Sequence, residues 1–267
     1  MRTIAISNQK GGCSKTTTAV NLSAAFAIKG RRTLVIDLDP QGHSTMGLGR
    51  NPERLNETVY DALTNVDVSL PQVITGTNIE LLKLAPCNIL LAGAELELAM
   101  MYGREFVLSE KLSQVSGQYD FCLIDCPPAL GLLTLNALVA SNDVVVPVQA
   151  HYYAMEGLRQ LLETVTKIRE RFHPCSVRVL GLLLTFIQER TTLSKQVQEQ
   201  MREYFGDLVF DTVIHMNTKL AEAPSAGESV FTYAPTSRGA LEYAALAEEI
   251  LRWEHMGSEK ESTYETT

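Results

Sequence analysis

The sequence lacks the features that mark several classes of protein. Its 267 residues include five cysteines, an odd number, and no two of them form a CxxC pair. This pattern argues against a disulfide framework and against a structural zinc site. No apolar run approaches the roughly 18 residues that a membrane-spanning helix needs, and no secretory signal pattern follows Met1. We therefore expect a cytoplasmic protein with reduced thiols.

Positive charge is also scarce. The chain has 23 Lys and Arg against 31 Asp and Glu, which gives a formal net charge of −8. Domains that bind nucleic acid usually have a basic surface. Any contact with DNA must therefore come from a local basic patch.

Short runs rich in Val, Ile and Leu alternate with stretches of helical periodicity. Several of these runs lack polar alternation, which is typical of strands buried on both faces of a parallel sheet. The predicted strands are 3–7, 33–37, 121–125, 144–148, 179–184 and 209–214. Together they predict an α/β fold, doubly wound, with a mostly parallel sheet flanked by helices.

The clearest predicted helix covers 16–29 and ends at Gly30. Further helical patterns cover 58–63, 92–116 and 238–253. Because no Pro/Gly/Ser-rich linker divides the chain, we predict one domain over residues 1–253. Residues 254–267 are polar and acidic and are predicted to form a disordered tail.

A glycine-containing loop lies between the first predicted strand and the first predicted helix. The strict phosphate-loop pattern asks for glycine directly before Lys15 and again six residues before it, but Ser14 and Gln9 hold these positions. The physical requirements remain, since backbone N–H groups, a lysine and a threonine hydroxyl suit phosphates and Mg²⁺. The candidate nucleotide-binding residues are Lys10, Gly11, Gly12, Cys13, Ser14, Lys15, Thr16 and Thr17.

Carboxylates end two of the predicted strands. Asp125 ends the strand 121–125 and is predicted to bind magnesium directly or through water. Asp37 ends the strand 33–37, and Asp39 follows two residues later. Two carboxylates separated by one residue point to the same side of an extended chain. A turn or helix cap around the following Pro-Gln-Gly segment is the open alternative for this pair.

Five segments, in order along the chain, carry a resemblance to a known family. They are 8–12, 125–128, 131–138, 152–158 and 220–225. They are similar to the chromosomal ParA/Soj partitioning ATPases, which belong to the ParA/MinD superfamily of P-loop NTPases with a deviant Walker A loop. The resemblance covers nearly the whole chain up to about residue 250.

This resemblance implies ATP and Mg²⁺ as cofactors, and weak ATP hydrolysis that a partner stimulates. It also implies a homodimer with ATP sandwiched between the subunits, non-specific DNA binding by that dimer, and a ParB-like partner protein that carries the cargo. The expected location is the nucleoid, with no membrane contact. Chromosome, plasmid and other assemblies remain open as cargo.

The resemblance also implies roles for individual residues. Lys10 would reach the nucleotide of the partner subunit, Lys15 the phosphates of its own, and Asp39 would orient the attacking water, so these three are the catalytic candidates. The implied magnesium site consists of Thr16, Asp37 and Asp125.

Three further positions are assigned by resemblance alone. Asn217 lies in the segment that is near the base in related folds, where His215 and Met216 replace the family's usual Pro-Arg. Arg190 and Lys219 occupy the two positions whose basic side chains contact DNA in the family.

Two residues of the phosphate loop carry separate expectations. Serine tolerates helix starts well, so Ser14 is expected to retain ATP binding while slowing hydrolysis. Cys13 lies near a helix N-terminus, which lowers the pKa of a thiol and favours oxidation.

Two other functions remain as alternatives. A MinD-like membrane-positioning ATPase needs a basic amphipathic C-terminal helix, which residues 254–267 do not offer. An electron-transfer protein like the nitrogenase iron protein needs two cysteines per subunit for a shared cluster, and Cys87 and Cys126 are the available pair.

Overall fold

The computed structural model describes residues 1–149, 154–189 and 191–264, with the side chains of 154–156 and 254–264 outside the description. The strands are β1 Arg2–Ile6, β2 Thr33–Asp37, β3 Thr75–Gly76, β4 Leu82–Ala85, β5 Phe121–Asp125, β6 Asp143–Gln149 and β7 Arg178–Thr185. The helices are α1 Lys15–Ile28, α2 His43–Gly47, α3 Val59–Thr64, α4 Leu70–Val73, α5 Ala94–Ala99, α6 Val107–Ser113, α7 Leu132–Val139, α8 Ala154–Arg171, α9 Thr192–Phe205, α10 Thr218–Glu222, α11 Val230–Tyr233 and α12 Arg238–Tyr264.

The seven strands form one sheet in the order β3-β4-β2-β5-β1-β6-β7. Among the described strand pairs, all are parallel except β3 with β4. The chain moves from β1 to one side of the sheet and later returns to the other side, so a crevice opens at the carboxyl ends of the central strands. The predicted doubly wound α/β fold is confirmed.

Both faces of the central strands are buried, which explains their continuous apolar sequences. Ile4 and Ile6 of β1 belong to a core with residues of α1 and α12, while Ala5 belongs to the core on the opposite face. The rings of Phe26 and Phe121 stack with centroids 4.3 Å apart and join α1 to β5. The first crossover helix is thereby held firmly against the sheet.

Several local predictions differ from the structure. Residues 209–214, predicted as a strand, form one isolated bridge, between Val209 and Leu182. The sequence pattern did not reveal β3 and β4, which are two and four residues long. The helical region 92–116 is divided into α5 and α6, and the turn between them includes Gly103 at a φ of 67°.

The last helix, α12, extends from Arg238 to Tyr264. Its first part agrees with the helix predicted over 238–253. Because the side chains of 254–264 lie outside the described structure, the boundary after 253 and the disordered tail stay predictions. Within the described residues, no helix combines the length and the apolar character that crossing a membrane requires.

Candidate nucleotide and magnesium site

The phosphate loop joins β1 to α1 at the carboxyl edge of the sheet. Asn8 fixes its beginning, because Oδ1 accepts a hydrogen bond from the Lys10 N–H (3.0 Å) and Nδ2 donates to the Pro147 carbonyl (2.7 Å). The Thr185 hydroxyl fixes its end by donating to the Cys13 carbonyl (3.3 Å). The loop is thus held between the ends of β6 and β7.

Two residues of the loop have left-handed backbone conformations. Gly12 has a φ of 71° and Ser14 a φ of 74°. An L-amino acid in this conformation costs about 1–2 kcal/mol, whereas glycine does not. In the described structure the Ser14 hydroxyl makes no hydrogen bond that caps α1. Ser14 therefore stands at the start of α1 with a left-handed backbone angle instead of the extended one that capping serines usually have.

The two lysines of the loop point to different surroundings. Lys15 is buried, and its Nζ donates to the Lys10 carbonyl at 3.1 Å, so its charge is held against the loop backbone. Lys10 is exposed, as are Gly11 and Gly12. Lys15 can serve a ligand within this subunit, while Lys10 is available to a neighbouring molecule.

Cys13 does not have the reactive environment that its position suggests. Its side chain is 1% exposed, and its Sγ donates to the Lys10 carbonyl at 3.1 Å. Burial raises the pKa of the Cys13 thiol and outweighs the opposite effect of Lys15. The expected lowered pKa is wrong, because the helix N-terminus acts on a desolvated thiol.

Asp37 and Asp125 lie opposite each other at the ends of β2 and β5 and are fully buried. Asp37 Oδ2 accepts hydrogen bonds from the backbone N–H and the hydroxyl of Thr45, both at 2.7 Å. Asp125 Oδ2 accepts one from the Ser44 hydroxyl at 2.7 Å. Among the described residues, nothing donates to the buried Asp125 Oδ1.

These contacts give the two carboxyls unusual titration behaviour. Burial raises the pKa of both Asp37 and Asp125, and their mutual repulsion raises that of Asp125 further. The hydroxyls of Ser44 and Thr16 partly offset the shift at Asp125. A buried, unpaired carboxylate oxygen next to the Thr16 hydroxyl matches the oxygen ligands that Mg²⁺ prefers. Asp125 Oδ1 and the Thr16 hydroxyl therefore fit a magnesium ion, whereas both oxygens of Asp37 accept protein hydrogen bonds. The magnesium role of the three residues stays a prediction.

Ser44 and Thr45 were not identified from the sequence. Both lie in α2, which begins directly after the Asp39-Pro-Gln-Gly segment. Adjacent hydroxyl residues after a carboxylate-rich turn were the available signal. Their partners, however, belong to strands that only the fold brings together.

Asp39 lies at the rim of the site, where it is half-buried. Its Oδ1 accepts a hydrogen bond from the Gln41 N–H at 3.0 Å, and its carbonyl accepts one from the Gly42 N–H at 2.9 Å. The turn that was the alternative interpretation is therefore present. Only one carboxylate oxygen of Asp39, Oδ1, takes part in this turn.

Thr17 and Asn217 are placed on different elements. Thr17 lies in the first turn of α1 and lines a cavity of about 440 Å³, together with Thr16, His43 and Pro224. Asn217 precedes α10, where its Oδ1 accepts a hydrogen bond from the Lys219 N–H at 2.8 Å. Its contribution to base binding stays a prediction.

The structure explains how His215 is accommodated near this segment. Its Nδ1 lies 2.6 Å from Glu242 Oε1, and its backbone N–H donates to Glu242 Oε2 at 2.9 Å. Arg238 Nη2 lies 2.7 Å from His215 Nε2. The histidine therefore ties the segment before Asn217 to α12.

The two DNA-contact candidates differ in how much the structure describes. Arg190 lies outside the described residues. Lys219 is exposed, and its Nζ pairs with Glu222 Oε2 at 2.7 Å, which raises the pKa of the Lys219 ammonium. Glu222 therefore competes with any phosphate that Lys219 would contact. The sequence analysis did not identify this competitor.

Cys87 and Cys126 do not suit a cluster shared between two subunits. Both side chains are fully buried. A cluster shared between two subunits needs ligands at the surface where the subunits meet, and neither thiol reaches the surface. The electron-transfer alternative loses its two ligands on this ground.

Comparison with known proteins agrees with this geometry. A family model described as "AAA domain" matches residues 1–176. The chain is 48% identical over 247 residues to the sporulation initiation inhibitor protein Soj of Bacillus subtilis (strain 168), a match that covers 92% of this chain and 97% of Soj. The chain belongs to the ParA/Soj family.

Other members support the same assignment. The chromosome partitioning protein ParA of Myxococcus xanthus (strain DK1622) is 42% identical over 251 residues, covering 94% of this chain and 88% of that protein. These relatives favour the ParA/Soj interpretation over the membrane-positioning alternative.

A solved structure shows the same fold. The cobyrinic acid a,c-diamide synthase from Mycobacterium smegmatis, with bound ADP and magnesium, has a TM-score of 0.84 and 37% sequence identity, covering 96% of both chains. The resemblance to ParA/Soj proteins inferred from the five sequence segments is thus confirmed, and so is the P-loop fold.

We expect Ser14→Gly to raise the free energy of unfolding by about 0.5–1 kcal/mol. The relief of left-handed strain exceeds the cost of the more flexible unfolded chain. Ser14→Ala is the matched control and should change stability by less than about 0.5 kcal/mol, since the hydroxyl makes no capping bond. Urea unfolding measures both. A destabilised Ser14→Gly would show that the serine is not strained.

Asp125→Asn should stabilise the metal-free protein at pH 8 by about 1–3 kcal/mol, since it removes an unpaired buried charge. A raised pKa means that the folded state binds more protons than the unfolded state, so wild-type stability falls as pH rises above the usual pKa of about 4. The gain should shrink towards pH 4, where Asp125 is protonated. Thermal unfolding at several pH values tests this; an equal gain at pH 4 and pH 8 would contradict it.

Proposed function

We propose that this chain is a ParA-type ATPase that binds ATP with Mg²⁺, forms an ATP-dependent sandwich dimer and hydrolyses ATP weakly. The buried Asp125 Oδ1 beside the phosphate loop, which has no hydrogen-bond partner among the described residues, is the observation that carries the proposal. An unpaired buried carboxylate is costly unless a cation compensates it. Mg²⁺ with a bound nucleotide supplies that charge.

Each residue has a definite part in this proposal. The Lys15 ammonium, held at the loop backbone, neutralises the outer phosphates, and the loop N–H groups after Gly11 bind phosphate oxygens. Thr16, Asp37 and Asp125 would hold Mg²⁺, which neutralises charge on the β- and γ-phosphate oxygens. Asp39, at the open rim, orients the attacking water.

The dimer follows from the exposure of Lys10. A lysine that leaves its own loop surface can reach phosphates presented by a second subunit. Closing two such sites face to face excludes water and adds a positive charge to each nucleotide. ATP binding and dimer formation are coupled in this scheme, and hydrolysis separates the subunits.

The cellular role proposed here is the partitioning or positioning of a chromosome, plasmid or other cargo. Relatives with 42–48% identity are named for chromosome partitioning or as Soj. The dimer would bind DNA non-specifically through Arg190 and Lys219 and associate with the nucleoid. A ParB-like partner would stimulate hydrolysis.

The solved relative carries the name of a cobyrinic acid a,c-diamide synthase. Its identity of 37% is below the 42–48% of the partitioning relatives. Its bound ADP and magnesium support the same cofactors for this chain. We therefore prefer the partitioning role to an amide-forming activity.

Lys10→Ala and Lys15→Ala should separate dimer formation from nucleotide binding. Lys15→Ala should lower ATP affinity by at least about 10-fold, since it removes the buried ammonium. Lys10→Ala should still bind ATP as a monomer, losing only the affinity that dimer formation adds, but should fail to dimerise. Equilibrium dialysis and sedimentation measure the two effects, with the exposed Lys167→Ala as control. A Lys10→Ala protein that dimerises with ATP would contradict the proposed dimer.

Glu222→Gln should strengthen DNA binding by the ATP-bound dimer. The change releases the Lys219 ammonium from its ion pair and leaves it free for a phosphate. Lys219→Ala should weaken binding and reduce the slope of log affinity against log salt by about 1 per subunit. Titration of a random-sequence duplex at several salt concentrations measures both. Equal affinities for Glu222→Gln and Lys219→Ala would argue against a phosphate contact at Lys219.

A further inference from the structure

Residues 87–95, which we call the connecting segment, contact the loop that follows Asp37 at one end and the region that follows Asp125 at the other. At its first end, the Cys87 N–H donates to the Thr45 hydroxyl at 3.0 Å, and the Cys87 thiol donates to the Asp39 carbonyl at 2.9 Å. Thr45 in turn holds Asp37. This end therefore contacts the backbone of Asp39 directly and the carboxylate of Asp37 through Thr45.

At its other end, Glu95 reaches the beginning of α7. Its Oε1 accepts a hydrogen bond from the Leu133 N–H at 3.1 Å. The carboxylate occupies the space that a methyl group on Gly131 would need. The Thr134 hydroxyl donates to the Ala129 carbonyl at 2.6 Å and holds the 126–131 loop on the same helix. Glu95 thus anchors the segment that leads away from Asp125.

The connecting segment between these ends is compact. The Asn88 Oδ1 accepts a hydrogen bond from the Leu90 N–H at 3.1 Å and starts the 3-10 turn Ile89–Gly93. This turn continues directly into α5. Leu91 and Ala94 are fully buried in the core. Leu91 and Ala94 therefore fix the segment in the core between its two ends, while the side chains of Ile89 and Leu90 are exposed.

We propose that Glu95 is a positioning residue for ATP hydrolysis. Through the connecting segment it keeps the 126–131 loop and the Asp39 turn in one fixed arrangement around the nucleotide. The hydrolysis part of this inference rests on the proposed function. A displacement of about 1 Å at reacting groups can cost up to about 100-fold in rate, so loss of this anchor should act on kcat rather than on ATP binding.

Glu95→Ala should lower kcat for ATP hydrolysis about 10-fold and leave the KM for ATP within about twofold. Glu95→Gln should retain most of the rate, because its amide oxygen still accepts from the Leu133 N–H. Gly131→Ala tests the same contact independently: its backbone, at a φ of −87°, admits alanine, but the methyl group must displace Glu95. In the Glu95→Ala background, Gly131→Ala should have little further effect.

Hydrogen exchange distinguishes coupling from a purely local helix cap. In the nucleotide-free protein, Glu95→Ala should speed exchange of the Cys87 amide about 10-fold, and Glu95→Gln should not. A local cap would change the Leu133 amide only, which would overturn the coupling. Wild-type kcat in Glu95→Ala would overturn the positioning role. If the wild type hydrolyses no ATP, the proposed function fails, while the Cys87 amide still decides whether the two loops are coupled.

Discussion

The rest of the site depends on two carboxylates buried side by side without enough protein donors. The parallel pairing of β2 with β5 places Asp37 directly opposite Asp125. Thr45 and Ser44 satisfy part of their hydrogen-bonding capacity, but one oxygen of Asp125 is unpaired among the described residues. Burying a charge in this way costs several kcal/mol unless a cation compensates it. Without a cation, proton uptake relieves this cost, which is why the pKa of Asp125 is raised.

The phosphate loop lies at the same carboxyl edge of the sheet, between β1 and α1. Its geometry is imposed from outside, by Asn8 reaching β6 and by Thr185 reaching the Cys13 carbonyl. These ties hold Ser14 in a left-handed conformation that the residue does not favour. The strained backbone at Ser14 keeps the N–H groups of the loop and Lys15 directed at the proposed phosphate position. Folding energy from the buried sheet offsets the local cost.

The lysines discussed above differ in whether they face the interior of the protein or the solvent. Lys15 is buried against the backbone of the phosphate loop, whereas Lys10 and Lys219 are exposed. Lys219 is paired with Glu222, in a chain of net charge −8. An electrostatic attraction to DNA would therefore be local and opposed by neighbouring acids.

The sequence by itself determined the alternation of buried strands and helices and the positions of Lys15, Thr16, Asp37 and Asp125. These features are local, because an apolar run, a glycine turn or a carboxylate at the end of a strand can each be recognised from a few neighbouring residues. It did not reveal the short strands β3 and β4, and it predicted a strand over 209–214 that the structure does not form, because short strands depend on pairing with other segments.

Only the tertiary structure decided which groups meet. The approach of Ser44 to Asp125, of Cys87 to Asp39 and of Glu95 to α7 joins segments that lie far apart in the chain. Burial of Cys13 likewise reversed the pKa shift expected from its helix position. Local sequence specifies which chemical groups are present, but desolvation and register arise from packing between elements. Desolvation and strand register then determine how these chemical groups act.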